Sequence, residues 1–346
     1  MSRVVSIAVD AMGGDFAPDV NIKGVLQALE ATASLNIALV GDRNTILSKL
    51  KSQGAEESAR LHVVHAEEVI SMEDHAATAL RKKKNSSLHV GMRLVKDGFV
   101  DAFLSAGNSG AVMACAMTIL GRLPGVERPA IMVKLPTAEG YAILLDAGAN
   151  VDARAAHLVQ FARMGSVYAE LIEGIANPRV ALLSNAAETH KGNELTREAD
   201  ALLRETSLNY RGYVEGNDLF HGAADVVVCD GFVGNVLLKS VEGLADTCFR
   251  WFKKELKTDP IALAGVFLLR KLLKRFKDKF DYQPYGAAPL LGINRMVLIG
   301  HGSSSELAIR NGVLTAKRGV EEDFISKIGV HFKDNAAGGP VVEQRE

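Results

Sequence analysis

Residues 102–120 read AFLSAGNSGAVMACAMTIL and contain a short apolar run, a small polar turn and a longer apolar run. The run at 102–104 has the length of a buried strand, and the run at 110–120 has the length of a helix. Between them, residues 105–110 are only Ser, Ala, Gly and Asn, a composition that favours a turn. The stretch therefore predicts one strand–turn–helix unit.

The same unit recurs from one end of the chain to the other. Short β-branched or apolar runs predict strands at 4–9, 37–40, 61–64, 102–104, 130–133, 143–145, 180–183, 226–229 and 296–299. Helical patterns lie between most of them, at 21–31, 88–96, 110–120, 153–172, 195–203 and 236–256. This alternation predicts an α/β fold with three α/β/α layers around a mostly parallel sheet. We expect one catalytic unit over 1–333, including a basic amphipathic helical segment at 250–283, and a flexible tail over 334–346.

Composition restricts the classes of protein to consider. The 346 residues carry a net charge of −1 with 48% hydrophobic residues, which is typical of a packed enzyme and gives no overall field that would attract nucleic acid. The three cysteines lack metal-ligand spacing and predict free thiols in a reducing cytoplasm. The longest uncharged run in the basic segment, 260–269, is about half of the ~20 apolar residues needed to cross a bilayer. We therefore expect a soluble cytoplasmic enzyme.

Polar turns follow four of the predicted strands, where ligands of open parallel sheets bind. Glycine-rich turns that lead into helices expose backbone N–H groups and the positive end of a helix dipole, which suits a phosphate group. The candidate phosphate-binding residues are Asp10, Gly13, Gly14, Asp15, Ser105, Gly107, Asn108, Ser109, Gly110, Asp146, Gly148, Asn150, Asp230, Gly231 and Gly234. For any single loop, a plain capped helix start is the alternative. No loop matches a dinucleotide or Walker pattern, so a bound nucleotide is not predicted.

Two lysines follow strands closely enough to reach the same edge. Lys191 comes after the strand at 180–183, and Lys239 lies one helical turn beyond Asn235. Either could bind phosphate and neutralise developing negative charge, or could be a solvated surface lysine. His190 and His301 are possible acids or bases, although surface roles are common for such histidines. We predict no metal and no cofactor.

Several ordered motifs resemble one family. IAVDAMGGDFAP at 7–18, SAGNSGAVMA at 105–114, LLDAGAN at 144–150 and VVVCDGFVGNVLLKSVEG at 226–243 are similar to the bacterial PlsX phosphate acyltransferases. RPAI at 128–131, HKGNEL at 190–195, VEGND at 214–218 and YGAAPLLGI at 285–293 extend the resemblance over nearly the whole chain.

The resemblance implies transfer of a long-chain acyl group from acyl carrier protein to inorganic phosphate. The acyl phosphate would supply a glycerol-3-phosphate acyltransferase in phospholipid synthesis. A homodimer is implied, with two intertwined halves in a fold like that of phosphotransacetylases and isopropylmalate dehydrogenases. Lys191 and Asn235 are then the strongest catalytic positions. The alternatives are a phosphate acyltransferase that uses coenzyme A thioesters and a non-catalytic, membrane-associated scaffold.

The segment at 250–280 is strongly basic, with ten Lys/Arg against three Asp/Glu. Within 260–280, leucines and phenylalanines at helical spacing alternate with lysines and arginines, which predicts a cationic amphipathic helix. Three interpretations are open: contact with an anionic membrane surface, a dock for the acidic carrier protein, and a dimer-packing helix.

Overall fold

The computed structural model describes residues 3–188, 190–258, 266, 269–272 and 286–336. Its strands, in chain order, are β1 (Val5–Asp10), β2 (Leu35–Gly41), β3 (Leu61–His65), β4 (Ala102–Ser105), β5 (Ala130–Ile131), β6 (Val133–Thr137), β7 (Gly140–Leu145), β8 (Val180–Leu183), β9 (Tyr210–Val214), β10 (Val226–Val228), β11 (Ala288–Leu291) and β12 (Met296–Ile299). Its helices are α1 (Asp19–Ala31), α2 (Arg43–Ser52), α3 (Ala76–Lys82), α4 (Ser87–Lys96), α5 (Ser109–Ile119), α6 (Ala155–Leu171), α7 (Glu194–Arg204), α8 (Gly216–Phe220), α9 (Gly231–Thr258), α10 (Glu306–Glu321) and α11 (Phe324–Ala336).

The strands form two sheets, and we name the part of the chain around each one a half. The first half contains a seven-stranded sheet in the order β3-β2-β1-β4-β12-β11-β5, in which only the pairings of β11 are antiparallel. The second half contains a five-stranded sheet in the order β6-β7-β10-β8-β9, with β6 antiparallel. Because β6–β10 come between β5 and β11 in the chain, the halves are intertwined. The predicted α/β class with mostly parallel strands is confirmed.

Burial explains why the central strands read as continuous apolar runs. All four residues of β4 are buried, as are all four of β12, because helices cover both faces of the sheet. On one face, α1 packs closely against α10. A Cβ placed on Gly24 would lie 2.6 Å from the Cβ of Ile309, so a glycine is required where these two helices meet.

Some predicted boundaries were wrong for identifiable reasons. The run at 130–133 is not one strand: β5 ends at Ile131, and β6 begins at Val133 in the other sheet. Helix α9 begins at Gly231, five residues before the prediction, because Asp230 Oδ1 accepts a hydrogen bond at 2.9 Å from the Val233 amide and caps its first turn. Residues 334–336 of the predicted tail continue α11, and 337–346 lie outside the described residues. Of the predicted basic helical segment at 250–283, residues 250–258 form the end of α9 and residues 266 and 269–272 are helical, and the rest lies outside the described residues.

Candidate active site

Two buried side chains hold the loops after β1 and β4 together through hydrogen bonds. Ser105 Oγ donates to Asp10 Oδ2 at 2.7 Å and accepts from the Gly107 amide at 3.0 Å. A Cβ on Gly13 would lie 2.5 Å from Asp10 Oδ2 and 2.8 Å from the Gly107 nitrogen, so the two loops touch through glycine backbone. Burial raises the pKa of Asp10. Asp10 and Ser105 therefore organise the loops from inside, and the geometry does not support their predicted direct contact with phosphate.

The loop after β12 completes this edge of the first half. The Asp15 amide donates to the Gly302 carbonyl at 2.8 Å, and Gly14, with φ of +106°, has the same carbonyl 3.1 Å from its ideal Cβ position. A residue other than glycine would be strained at position 14. The strand-end loop that contains His301 thus lies beside the loop after β1.

Helix α5 presents its amino-terminal end at the same edge. Asn108 caps it, with Oδ1 accepting from the Ala111 amide at 3.0 Å, and its Nδ2 donates to the carbonyls of Asp74 and Met72 at 3.0 and 3.2 Å. The side chain of Asn108 is therefore used as an anchor between loops. Ser109 and Gly110 are exposed, and within the described residues their amides donate to no other group. We name these two N–H groups the open amides, because the helix leaves them available to donate hydrogen bonds to a bound anion.

A buried carboxylate organises the loop after β7 in the second half. Asp146 Oδ1 accepts from the amides of Ile131 and Ala149 at 3.0 and 3.1 Å, and Oδ2 accepts from the Asn150 amide and Nδ2 at 2.7 and 2.8 Å. Asn150 Nδ2 also donates to the Pro129 carbonyl at 2.7 Å. Burial raises the pKa of Asp146 despite these bonds. Asp146 and Asn150 are therefore buried side chains that shape the loop, and the geometry does not support their predicted direct contact with phosphate.

The start of α9 rests directly on this loop. The Gly231 amide donates to the Asn150 carbonyl at 2.8 Å, and a Cβ on Gly234 would lie 1.9 Å from the Asp146 carbonyl oxygen. Both glycines are thus needed for close approach of backbone to backbone. The contact places the exposed Asn235 above Gly148, whose ideal Cβ position lies 3.6 Å from Asn235 Oδ1.

Lys239 links the two halves, and we name the space between their strand-end loops at this contact the cleft. Its Nζ lies 2.7 Å from Nε2 of His301 in the first half and 2.8 Å from Glu242 Oε2 on its own helix. His301 Nδ1 lies 2.7 Å from Ser303 Oγ. Burial, and then the charge of Lys239, lower the pKa of His301, so its imidazole is neutral at pH 7. The sequence indicated His301 only as a possible acid or base, and its contact with Lys239 was not predicted, because nothing local links it to a lysine in the other half.

Lys191 lies on an exposed loop at the carboxyl edge of the second sheet. Its amide donates to the Glu188 carbonyl at 3.0 Å, and the following Gly192 amide donates to Asn185 Oδ1 at 3.1 Å. Gly192 also lines a cavity of about 670 Å³ that α9 borders. Lys191 is thus adjacent in sequence to a residue that lines this cavity, and residues of α9 form another part of the cavity lining. The described contacts of the loop that carries Lys191 are with the second half alone.

The described residues contain no group of three or more His, Cys, Asp or Glu side chains placed to hold a metal ion. Nor is any helix in that part of the chain both long and apolar enough to cross a membrane.

The fold is that of the phosphotransacetylases. A phosphotransacetylase from Streptococcus pyogenes superposes with a TM-score of 0.59 at 18% identity, covering 92% of this chain and 94% of its own. The EutD phosphotransacetylase from Staphylococcus aureus gives a TM-score of 0.57 at 17% identity, covering 91% and 94%.

Sequence comparison identifies the family, which the shared fold alone does not. A family model described as fatty acid synthesis protein matches residues 5–327. A phosphate acyltransferase from Trichlorobacter lovleyi is 49% identical over 95% of this chain and 95% of its own, and one from Heliobacterium modesticaldum is 50% identical over 94% and 97%. The chain belongs to this family, the PlsX phosphate acyltransferases, and it is an acyltransferase of lipid synthesis.

Proposed function

We propose that the protein transfers a long-chain acyl group from acyl carrier protein to inorganic phosphate, giving acyl phosphate and free carrier protein. The observation that carries this proposal is the position of α9. It carries Asn235 and Lys239, and Lys239 contacts His301 of the first half, whose loop adjoins the edge where α5 leaves the amides of Ser109 and Gly110 open. We infer that donors from both halves line one edge, as transfer between two bound reactants requires.

The chemistry needs little more than positioning and charge stabilisation. A phosphate oxygen attacks the thioester carbonyl, the carbon–sulfur bond breaks, and the proton of the hydrogen phosphate ends on the departing thiolate. Lys191 and the two open amides hold the phosphate, with Lys239 as a second cation. Asn235 Nδ2 donates to the oxyanion of the tetrahedral intermediate. A thiol with a pKa of roughly 8.5 leaves readily, so no strong general acid is needed.

The choice of acyl carrier protein as donor rests on the family resemblance. A coenzyme A thioester is the alternative donor, and parallel assays with palmitoyl carrier protein and palmitoyl coenzyme A separate the two. A larger kcat/KM with the coenzyme A thioester would contradict the proposal. A non-catalytic scaffold is disfavoured, because scaffolding requires neither the glycine contacts under α9 nor the open amides of α5.

We place the reaction in the cytoplasm, next to an anionic membrane surface contacted through 260–280, with the protein as a homodimer. The described part of that segment supports this placement, since Leu269 and Leu272 are about half exposed beside the exposed Arg270 and Lys271. Acyl phosphate is a reactive mixed anhydride, which favours immediate use by a glycerol-3-phosphate acyltransferase. Flotation with liposomes that contain or lack anionic lipid tests the membrane contact, and no binding at low salt would contradict it.

The decisive assay follows release of free carrier-protein thiol from palmitoyl carrier protein with and without phosphate, with the acyl phosphate product identified by mass spectrometry. We expect Lys191→Ala to abolish turnover while leaving the unfolding midpoint unchanged, because the side chain is exposed. Lys51→Ala, at an exposed position on α2, is the matched control. A kcat near that of the wild type would remove Lys191 from the mechanism.

A further inference from the structure

A cavity of about 670 Å³ lies between α7 and α9, above the carboxyl ends of β8 and β10. This volume falls within the roughly 300–1,000 Å³ of small-molecule sites. Its floor is formed by the buried side chains of Leu158, Leu183 and Cys229. Val236 and Leu237 of α9 form part of one wall. The cavity is therefore lined mainly by hydrocarbon.

The polar side chains along the lining are largely engaged within the protein. Asp230, the one charged side chain among the lining residues, caps α9 through the Val233 amide. Asn193 Oδ1 accepts from the Thr196 amide at 2.9 Å, and Thr196 Oγ1 donates to the Asn193 carbonyl at 3.1 Å. Asn185 Oδ1 accepts from the Gly192 amide. Apart from the carboxylate of Asp230, which caps α9, a ligand that filled this space would meet no charged side chain among the lining residues, which favours an apolar occupant.

The cavity adjoins the proposed catalytic residues. On α9, Phe232, Val236 and Ser240 are spaced four residues apart and line it, so they lie on one face of the helix. Asn235 lies on the neighbouring face, which also carries Lys239 four residues further on. At the opposite wall, Gly192 directly follows Lys191. One rim of the cavity is therefore bordered by the two elements that carry Asn235 and Lys191.

We propose that this cavity binds the alkyl chain of the acyl thioester, with the carbonyl carbon at the rim between Lys191 and Asn235. The inference rests on the proposed function, since it names where the acyl group of that reaction is held. An extended hydrocarbon is the occupant that matches the lining, because each methylene taken out of water strengthens binding about fourfold. The cavity would thus set the preference for chain length.

Filling the cavity tests the inference. Val236 is 50% exposed, so Val236→Trp adds bulk to the wall without disturbing the core. The indole displaces at least two methylenes, which corresponds to roughly a tenfold loss in kcat/KM with palmitoyl carrier protein. With octanoyl carrier protein, which leaves part of the cavity empty, we expect a change within about twofold. Leu244→Trp, two turns further along α9 at a 66% exposed position outside the lining, should behave as the wild type with both substrates.

Two outcomes would overturn the inference. Equal losses with both chain lengths would mean that Val236 does not limit the room for the chain. Equal losses for both tryptophan variants would indicate that this side of α9 is a protein interface. Binding of a fluorescent polyene fatty acid tests the cavity independently of turnover, with about tenfold weaker binding expected for Val236→Trp. If the wild type binds that probe but shows no phosphate-dependent thiol release, the proposed function fails and the hydrocarbon site remains.

Discussion

Gly234 is the position at which the contact between α9 and the loop after β7 can be tested most directly. An ideal Cβ there lies 1.9 Å from the Asp146 carbonyl oxygen and 3.0 Å from Cys229 Sγ. Ordinary contact begins at 3.4 Å, so a methyl group at this position requires the helix or the loop to move by about 1.5 Å. Because the obstacle is backbone, no side-chain rotation can relieve it.

The movement should affect activity more than stability. It displaces Asn235 and Lys239 together, and a displacement of ~1 Å of a catalytic group can lower the rate about 100-fold. Overpacking of this kind costs about 1–3 kcal/mol of the free energy of unfolding. We therefore expect Gly234→Ala to fold, with kcat for phosphate-dependent thiol release reduced about 100-fold. Urea unfolding measured in parallel gives the stability change.

Gly243 provides a matched control on the same helix. An ideal Cβ at Gly243 has no neighbouring atom within 4 Å, so Gly243→Ala should keep full activity and stabilise α9 by about 0.5–1 kcal/mol. If Gly234→Ala retains the kcat of the wild type, α9 does not position the catalytic groups through this contact, and the reasoning is refuted.

Three further predictions concern the side chains that shape the cleft. Asp146→Ala leaves several buried amides without an acceptor and should lower the free energy of unfolding by at least about 3 kcal/mol; a loss under 1 kcal/mol in urea unfolding would contradict this role. Lys239→Ala should raise the KM for phosphate several-fold, and an unchanged KM would show that this lysine only bridges the halves. Burial and the charge of Lys239 lower the pKa of His301 from its usual value of 6.5. The contact between neutral His301 and Lys239 is therefore fully formed above pH 6.5, and it is lost as the pH falls through the lowered pKa that His301 has in the folded protein. The KM for phosphate should therefore rise at acid pH in the wild type, and an equal rise in His301→Gln would show that protonation of His301 is not its cause and would assign it to the phosphate itself.

The sequence was sufficient to predict the layers of the fold and the edge of the sheet that carries the candidate site. Strand-end loops rich in Gly, Asn and Asp are a local signal, because the chain needs such residues to turn and to cap the next helix. The strand Tyr210–Val214 was missed because Arg211 and Gly212 interrupt its apolar pattern. The split at Met132 has no local signal, since the change of sheet depends on partners far away in the chain.

The roles of individual site residues were harder to predict than their location. Asp10, Asn108 and Asp146 have the residue types expected of ligand contacts, yet each one makes hydrogen bonds that hold neighbouring loops together. The contact between Lys239 and His301 joins positions 62 residues apart, one in each half. Which polar group faces a ligand and which supports a loop is decided by long-range packing, and sequence patterns do not contain that information.

The order of the strands has a consequence for biosynthesis. β12 fills the place beside β4 in the first sheet, with Met296 opposite Ala102, whereas every strand of the second sheet is contained within residues 133–228. During translation the five-stranded sheet is therefore the first that can be assembled in full, whereas β4 can pair with β12 only after β12 has been synthesised. A nascent chain that stops before β11 would keep the edge of β4 unpaired and open to aggregation.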